Sequence, residues 1–310
     1  MKNKHLYIIG NGFDQHHDIR SGYMDFQSWV EKEDPLVYNR LFQVYELYGG
    51  NLWASLEENL GHIPAEAILN RYCEEPMIVF VKTISGTRMF SMDDFTDTIS
   101  EIGYPLQRMY NELEELLTKW VLQLFPPNIS KRISINKEGS MFINFNYTNT
   151  LESIYGIPAS SILYIHGCAM RNEPLVFGHN QTRSQIMKNW GDNFSEEELL
   201  QLEEAVEDIG LLYKNVYDII YRNDFVWNKI KNTTTIHILG MSLSEVDLPY
   251  LIHILNVIDS PDLNIEFSWY SEKDKEHITK IASHLGIKRY SLVKLTDMIR
   301  SYPKQLELFD

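Results

Sequence analysis

The run Ile8-Ile9-Gly10-Asn11-Gly12-Phe13-Asp14 breaks an apolar stretch into a Gly-x-Gly turn. Glycines at such a turn accept positive φ and let backbone approach a ligand closely. A helix starting there would aim its N–H groups and dipole at a phosphate. The full dinucleotide fingerprint is not present. Gln15 stands where the third glycine belongs, and Asp14 would place a negative charge beside a pyrophosphate. A tight structural turn with no ligand is the competing explanation of the two glycines.

Four further polar turns carry chemistry. Asn144-Phe145-Asn146-Tyr147-Thr148 gathers amides and a hydroxyl that, once buried, must satisfy one another or a ligand. Thr148 or Asn149 could instead cap a helix beginning near Leu151, leaving Asn146 to face a cleft. Tyr164-Ile165-His166-Gly167 ends an apolar run in a histidine, a group able to move protons near neutral pH. Phe177-Gly178-His179-Asn180 is a similar turn, for which binding and purely structural roles weigh equally. In Gly240-Met241-Ser242, the glycine and serine are ligand candidates, whereas Asp247 before Leu248-Pro249 reads as a helix N-cap with proline in the first turn. The run Asp14-Gln15-His16-His17-Asp18 has metal-ligand residue types, but adjacent histidines on a helix rarely chelate one ion together. Surface or capping roles are expected for the histidines, and no metal.

The elements that must position these turns are apolar runs at Leu6 to Ile9, Met141 to Phe145, Ile162 to Ile165, Thr235 to Leu239, Asn264 to Trp269 and Tyr290 to Val293, separated by helical patterns. Alternation of this kind predicts an α/β fold with a mostly parallel sheet and helices on both faces, ligands sitting at the carboxyl ends of the strands. The spacing predicts one α/β domain over 1–310, with a helical insertion at about 30–135 and a second at about 190–230 that together form a subdomain. The strongest helix of the first insertion covers Pro105 to Phe125, with Leu106, Met109, Tyr110, Leu113, Leu116, Leu117, Trp120, Val121 and Leu124 on one face and Gly103 as a break before it. The second insertion reads as a helical excursion from Ser195 to Lys229, opened by the acidic Glu196-Glu197-Glu198.

The 310 residues are 44% hydrophobic, enough to bury a large core. A formal charge of -15, from 43 acidic against 28 basic side chains, repels nucleic acid and anionic membranes, so neither is expected as a partner. Cys73 and Cys168 are too far apart in sequence for a CxxC pair, which fits a reducing cytoplasm. No apolar stretch approaches the ~18 residues of a membrane span, and the N-terminal run is too short for a signal peptide.

In order and combination, IIGNGFD (8 to 14) with SGYMDF (21 to 26), FNYTNTLE (145 to 152), IHG (165 to 167), FGHN (177 to 180) and GMSLSEVDLPY (240 to 250) resemble the AbiH family of bacterial phage-resistance proteins. The same landmarks are remotely similar to the sirtuin (SIR2-like) domain, which binds NAD. Gly10-Asn11-Gly12 with Met24-Asp25-Phe26 resembles its first motif, Asn144-Phe145-Asn146-Tyr147-Thr148 its second, His166-Gly167 its catalytic histidine and Gly240-Met241-Ser242 its last. That resemblance implies a sirtuin- or Rossmann-like sheet with NAD as ligand or substrate. The absence of a four-cysteine zinc ribbon disfavours protein deacylation and implies NAD glycohydrolysis, as in defence-system relatives that also lack the ribbon.

Under that implication the pyrophosphate lies over Gly10 to Phe13. Asp14, Asp25, Asn144, Thr148, Gly167, His179, Asn180, Gly240 and Ser242 contribute to binding. Asn146 and His166 are the catalytic pair, the amide orienting water and the neutral imidazole accepting a proton. The expected partners are a small-molecule nucleotide and a phage-derived trigger, with self-association open. Two alternatives stand beside it: another nucleotide-processing hydrolase, and a non-catalytic sensor of a nucleotide or phage component.

Overall fold

In a computed structural model, residues 4–47, 49–73, 106–124, 127–191 and 193–299 are described. Six strands form one sheet: β1 (His5–Ile9), β2 (Ser140–Asn144), β3 (Ile162–Tyr164), β4 (Thr235–Leu239), β5 (Asn264–Ser268) and β6 (Tyr290–Val293). Their order is β3-β2-β1-β4-β5-β6 and every pairing is parallel. The expected α/β architecture is therefore present, with parallel pairing throughout. This is the Rossmann strand order, whose direction reverses between β1 and β4, the point where open α/β sheets form their crevice.

The near-continuous apolar runs explain the pairing. Leu6, Ile8 and Ile9 on β1 and Phe142 and Ile143 on β2 are all at most 1% exposed, as strands covered on both faces must be. Right-handed crossovers place the helices of the β1-β2-β3 half and the β4-β5-β6 half on opposite faces. On one face Tyr7, Ile9, Phe142 and Leu239 pack with Phe13 and with Leu151, Ile154 and Tyr155. Tyr7 stacks on both Phe142 and His237.

Thirteen α-helices fall among the described residues: α1 (Asn11–His16), α2 (Tyr23–Glu33), α3 (Pro35–Leu41), α4 (Leu56–Asn59), α5 (Ala65–Cys73), α6 (Leu106–Gln123), α7 (Thr150–Tyr155), α8 (Arg183–Trp190), α9 (Glu196–Gly210), α10 (Val216–Arg222), α11 (Asp224–Ile230), α12 (Leu248–Val257) and α13 (Glu272–His284). No described helix is long and apolar enough to cross a membrane. The apolar stripe of α6 is buried from Leu106 to Val121 as its spacing predicts, whereas Gly103, Pro105 and Phe125 lie outside the described residues.

The helical excursion expected from Ser195 to Lys229 is present as three helices. Ser195 opens α9 with a capping box to Glu198. Beyond Gly210 the chain turns extended at Tyr213, which bridges to His179, so α10 and α11 are separate elements.

The chain divides into two compact units. One comprises Met1–Gly22, Val121–Val176 and Tyr217–Asp310 and holds the sheet; the other comprises Tyr23–Trp120 and Phe177–Val216 and is helical. The helical unit has its own core, in which Phe26 packs on Trp53 and Trp120 and the hydroxyls of Tyr45 and Tyr110 meet at 2.9 Å. Its Lys214 ammonium, fully buried, donates to Glu57, which also accepts from the Tyr23 hydroxyl.

Candidate ligand site at the carboxyl ends of the strands

Gly10 and Gly12 leave β1 directly beneath the turn that leaves β4. A Cβ on Gly10 would stand 2.6 Å from Met241 Cα and 2.7 Å from the Gly240 carbonyl oxygen; on Gly12 it would stand 3.0 Å from Gly240 Cα. The Gly12 N–H donates to the Gly240 carbonyl at 2.7 Å, and the Gly240 N–H donates to Ser268 Oγ at 2.7 Å. The sequence assigned the space over these glycines to a ligand's backbone approach. In the structure their missing side chains make room for the Gly240–Met241 backbone, which gives a structural reason for the Gly-x-Gly turn. Asn11 is exposed and holds the chain after α1, its amide donating to the Ser21 carbonyl and accepting from the Ser21 hydroxyl.

The loop after β2 is closed by its own amides. Asn144 donates through Nδ2 to the Thr148 carbonyl and accepts the Asn146 N–H on Oδ1. Asn146 reaches across to β1 and donates through Nδ2 to the Gly10 carbonyl at 3.1 Å. Asn149 occupies the N-cap position of α7, yet neither it nor Thr148 caps the helix with its side chain. Thr148 Oγ1 instead lies 2.5 Å from Asp14 Oδ2 and 3.1 Å from Thr150 Oγ1. Asp14 is thus not a charge beside the turn but a carboxyl buried beneath it, 1% exposed. Burial pushes it up to about 6, while hydrogen bonding from Thr148, Thr150 and Asn146 pulls the other way.

Of the expected surface or capping roles, His17 takes the second as the C-cap residue of α1, whereas His16 is half-buried against a distant carbonyl. His16 Nε2 meets the Lys131 carbonyl at 3.0 Å. His17 is wholly buried: Nδ1–H donates to the Phe13 carbonyl and Nε2 accepts from the Tyr155 hydroxyl, both at 2.7 Å. Burial lowers its pKa to about 4, so the ring is neutral near pH 7. The Tyr155 oxygen also accepts the Ile133 N–H at 3.1 Å, which ties α1, α7 and the approach to β2 together. Tyr155→Phe leaves two buried groups unpaired and is expected to cost about 1–3 kcal/mol. Urea denaturation checks this; a loss below ~0.5 kcal/mol would show the hydroxyl to be dispensable.

His166 follows β3, whose continuation is fixed by the Ile165 N–H donating to the Asn144 carbonyl. It is 2% exposed, with Phe145 and Tyr250 edge-on to its ring and Tyr147 tilted beside it. Gly167 has φ +80°, and a Cβ there would lie 2.1 Å from the Pro174 carbonyl oxygen, so only glycine fits. At the β4 turn Ser242 is exposed, while Leu243 holds φ +55°, an uncommon conformation for a bulky residue. Asp247 sits at the N-cap of α12 with proline in the first turn, but makes no side-chain cap.

Asp25, His179 and Asn180 belong to the helical unit. Asp25 stands in the first turn of α2, where a carboxylate suits the helix dipole. His179 is fully buried, Nε2–H donating to the Ile209 carbonyl and Nδ1 accepting the Gln181 N–H. Both nitrogens are engaged by backbone, so this ring is a structural connector and not the ligand group its turn implied. Asn180 is half-buried. Among the described residues no group of three or more His, Cys, Asp or Glu is arranged to hold a metal ion.

Sequence patterns gave no notice of Tyr155 or Ser268. Their partners lie far away in the chain, and a single tyrosine or serine carries no periodic signal. The proline and glycines around His166 were the available clue that its loop is sterically fixed.

An all-parallel sheet in this order, with polar loops of β1, β2, β3 and β4 at one edge, defines a Rossmann-like α/β protein. A family profile described as bacteriophage abortive infection AbiH matches residues 6–269, from β1 to the residue after β5. The chain belongs to the AbiH family, and its role is in phage abortive infection. Among curated proteins, none matches the chain.

Proposed function

We propose that this AbiH protein binds a nucleotide at the carboxyl edge of its sheet and, once triggered by phage infection, hydrolyses the N-glycosidic bond of NAD. The observation that carries this reading is the Asn146 Nδ2 to Gly10 carbonyl hydrogen bond. It sets an amide from the β2 loop on the β1 turn, beside the reversal of strand order where such sheets bind ligands. His166 follows the neighbouring strand, β3. Nicotinamide leaves a cationic ring as a neutral group, so the chemistry asks mainly for exclusion of bulk water, one oriented water and a proton acceptor. Asn146 Oδ1 orients that water, and His166 takes its proton.

The fit is uneven. The glycine turn offers little backbone cradle, because Gly240 and Met241 fill the Cβ directions of Gly10 and Gly12. His166 in this conformation is enclosed, and Tyr147, half-buried and donating to the Val176 carbonyl, is the ring whose displacement would open it. An enclosed resting histidine suits an activity held back until infection.

Purified protein, and extracts of infected cells expressing it, are to be assayed for nicotinamide release from NAD by chromatography. Release is expected under activating infection, falling ~10²- to 10⁴-fold in His166→Ala, with a comparable loss in Asn146→Ala. No release under activating infection, or a fully active His166→Ala, rejects the hydrolase. The same enclosure of His166 favours a second reading, a non-catalytic sensor. In that case phage resistance survives both substitutions.

A further inference from the structure

Beyond β3 the chain makes a tight loop that leaves and returns at His166. Its neck is closed by the Val176 N–H donating to the His166 carbonyl at 2.9 Å, so residues 167–175 form a compact Ω-like excursion. Cys168, Ala169 and Leu175 are its buried side, while Met170, Arg171, Asn172 and Pro174 face solvent. Tyr147, from the β2 loop, fastens both ends. Its carbonyl accepts the Ala169 N–H at 3.0 Å near the start, and its hydroxyl donates to the Val176 carbonyl at 3.1 Å at the finish. Arg171 also ties the loop to Glu152 and pairs with Glu173 within it, but these are partly exposed ion pairs and hold it weakly. Tyr147 shields His166 as well. Of the three rings against that imidazole, Phe145 and Tyr250 are buried, whereas Tyr147 is half-buried and borders solvent.

We propose that residues 167–175 form a strap latched by the Tyr147 hydroxyl, and that release of this latch uncovers His166 while the sheet stays folded. With the hydroxyl bonded to Val176, the Tyr147 ring stays against His166 and the strap stays down. When that bond breaks, the ring turns into solvent and the strap lifts at its Val176 end. His166 and Cys168 then become exposed together in one local opening. This deepens the reading of a site held back until infection: the consequence for hydrolysis rests on that reading, while the opening itself does not.

The thiol of Cys168 is the reporter, because burial pushes it up to about 11 and keeps it unreactive while the strap is closed. N-ethylmaleimide labelling of Cys168 and diethylpyrocarbonate labelling of His166 are followed at neutral pH by peptide mass spectrometry, over a range of urea. Tyr147→Phe keeps the ring and removes the latch, and is expected to raise both rates by about fivefold, the factor that one lost hydrogen bond of ordinary strength gives. Both rates should be indifferent to urea well below the unfolding midpoint, the sign of a local opening. Arg171→Gln, which cuts the exposed ion pairs, should label as wild type does. A Tyr147→Phe protein labelled at the wild-type rate overturns the proposal, as does an Arg171→Gln protein labelled just as fast as Tyr147→Phe. So do rises at Cys168 and His166 that differ in size, or labelling that climbs with urea in step with global unfolding, since a merely structural hydroxyl acts only through total stability. Faster labelling in Tyr147→Phe with no nicotinamide release under activating infection keeps the strap and rejects the hydrolase.

Discussion

Gly240→Ala is expected to destabilise the protein by on the order of 4 kcal/mol or more, enough to abolish folding in a domain whose total stability is roughly 5–15 kcal/mol. The new Cβ would lie 2.0 Å from the Phe13 nitrogen and 2.5 Å from the Gly12 carbonyl carbon, both backbone atoms that no rotamer change can move. The residue also holds φ +67°, which adds strain for any side chain. Relief requires β1 and β4 to part at their carboxyl ends, breaking the Gly12 to Gly240 hydrogen bond in the middle of the sheet. Gly156→Ala is the control. It has φ +59° with nothing within 4 Å, so it isolates the conformational part at about 1–2 kcal/mol. Urea denaturation and soluble yield report both. A Gly240→Ala protein no less stable than Gly156→Ala would refute the close junction.

The second large effect is in the pH dependence of stability. Asp14 is raised from 3.8 to about 6 on folding, so its penalty is absent below 3.8, grows as pH rises and is complete above about 6. His17 is lowered from 6.5 to about 4, so its penalty is absent above 6.5, grows as pH falls and is complete below about 4. Each shift corresponds to on the order of 3 kcal/mol. Because the slopes oppose, the two groups nearly cancel between pH 4 and 6. Asp14→Asn, whose Nδ2 can donate to Thr148 as the neutral acid would, removes one of them. It is expected to gain about 1–3 kcal/mol at pH 7, and to lose stability steeply from pH 6.5 to 4 where the wild type is flat. Denaturant midpoints at pH 4.5, 5.5 and 7 decide it. A variant no more stable than wild type at pH 7 would mean that the buried carboxyl is not penalised.

The sheet was legible because parallel strands buried on both faces leave unbroken apolar runs. Thr235 to Leu239 and Tyr290 to Val293 coincide with β4 and β6, and β2 begins one residue before its expected start. The identity of α6 was equally plain from its stripe. What could not be read was how polar residues at the loops would pair. Asp14 reads as a negative charge beside a pyrophosphate until Thr148, 134 positions later, is brought against it. His179 looks like a binding histidine until both nitrogens find backbone partners. Gly10 and Gly12 were recognised as positions requiring close approach, but the approaching atoms belong to Gly240, which no local pattern can name. Long-range complementarity of this kind is set by the assembled sheet.

The pairing of β1 with β4 also governs when the molecule becomes competent during synthesis. His5 lies opposite Thr235, so β1 has an unfilled side until more than two hundred further residues have been made. At ~5–20 residues per second that interval is ten seconds or longer. A prematurely terminated chain lacking β4 has no Gly240 to close the glycine turn. The junction that organises the candidate site therefore exists only once Gly240 has followed β1 out of the ribosome, however early the rest of the β1 side is made.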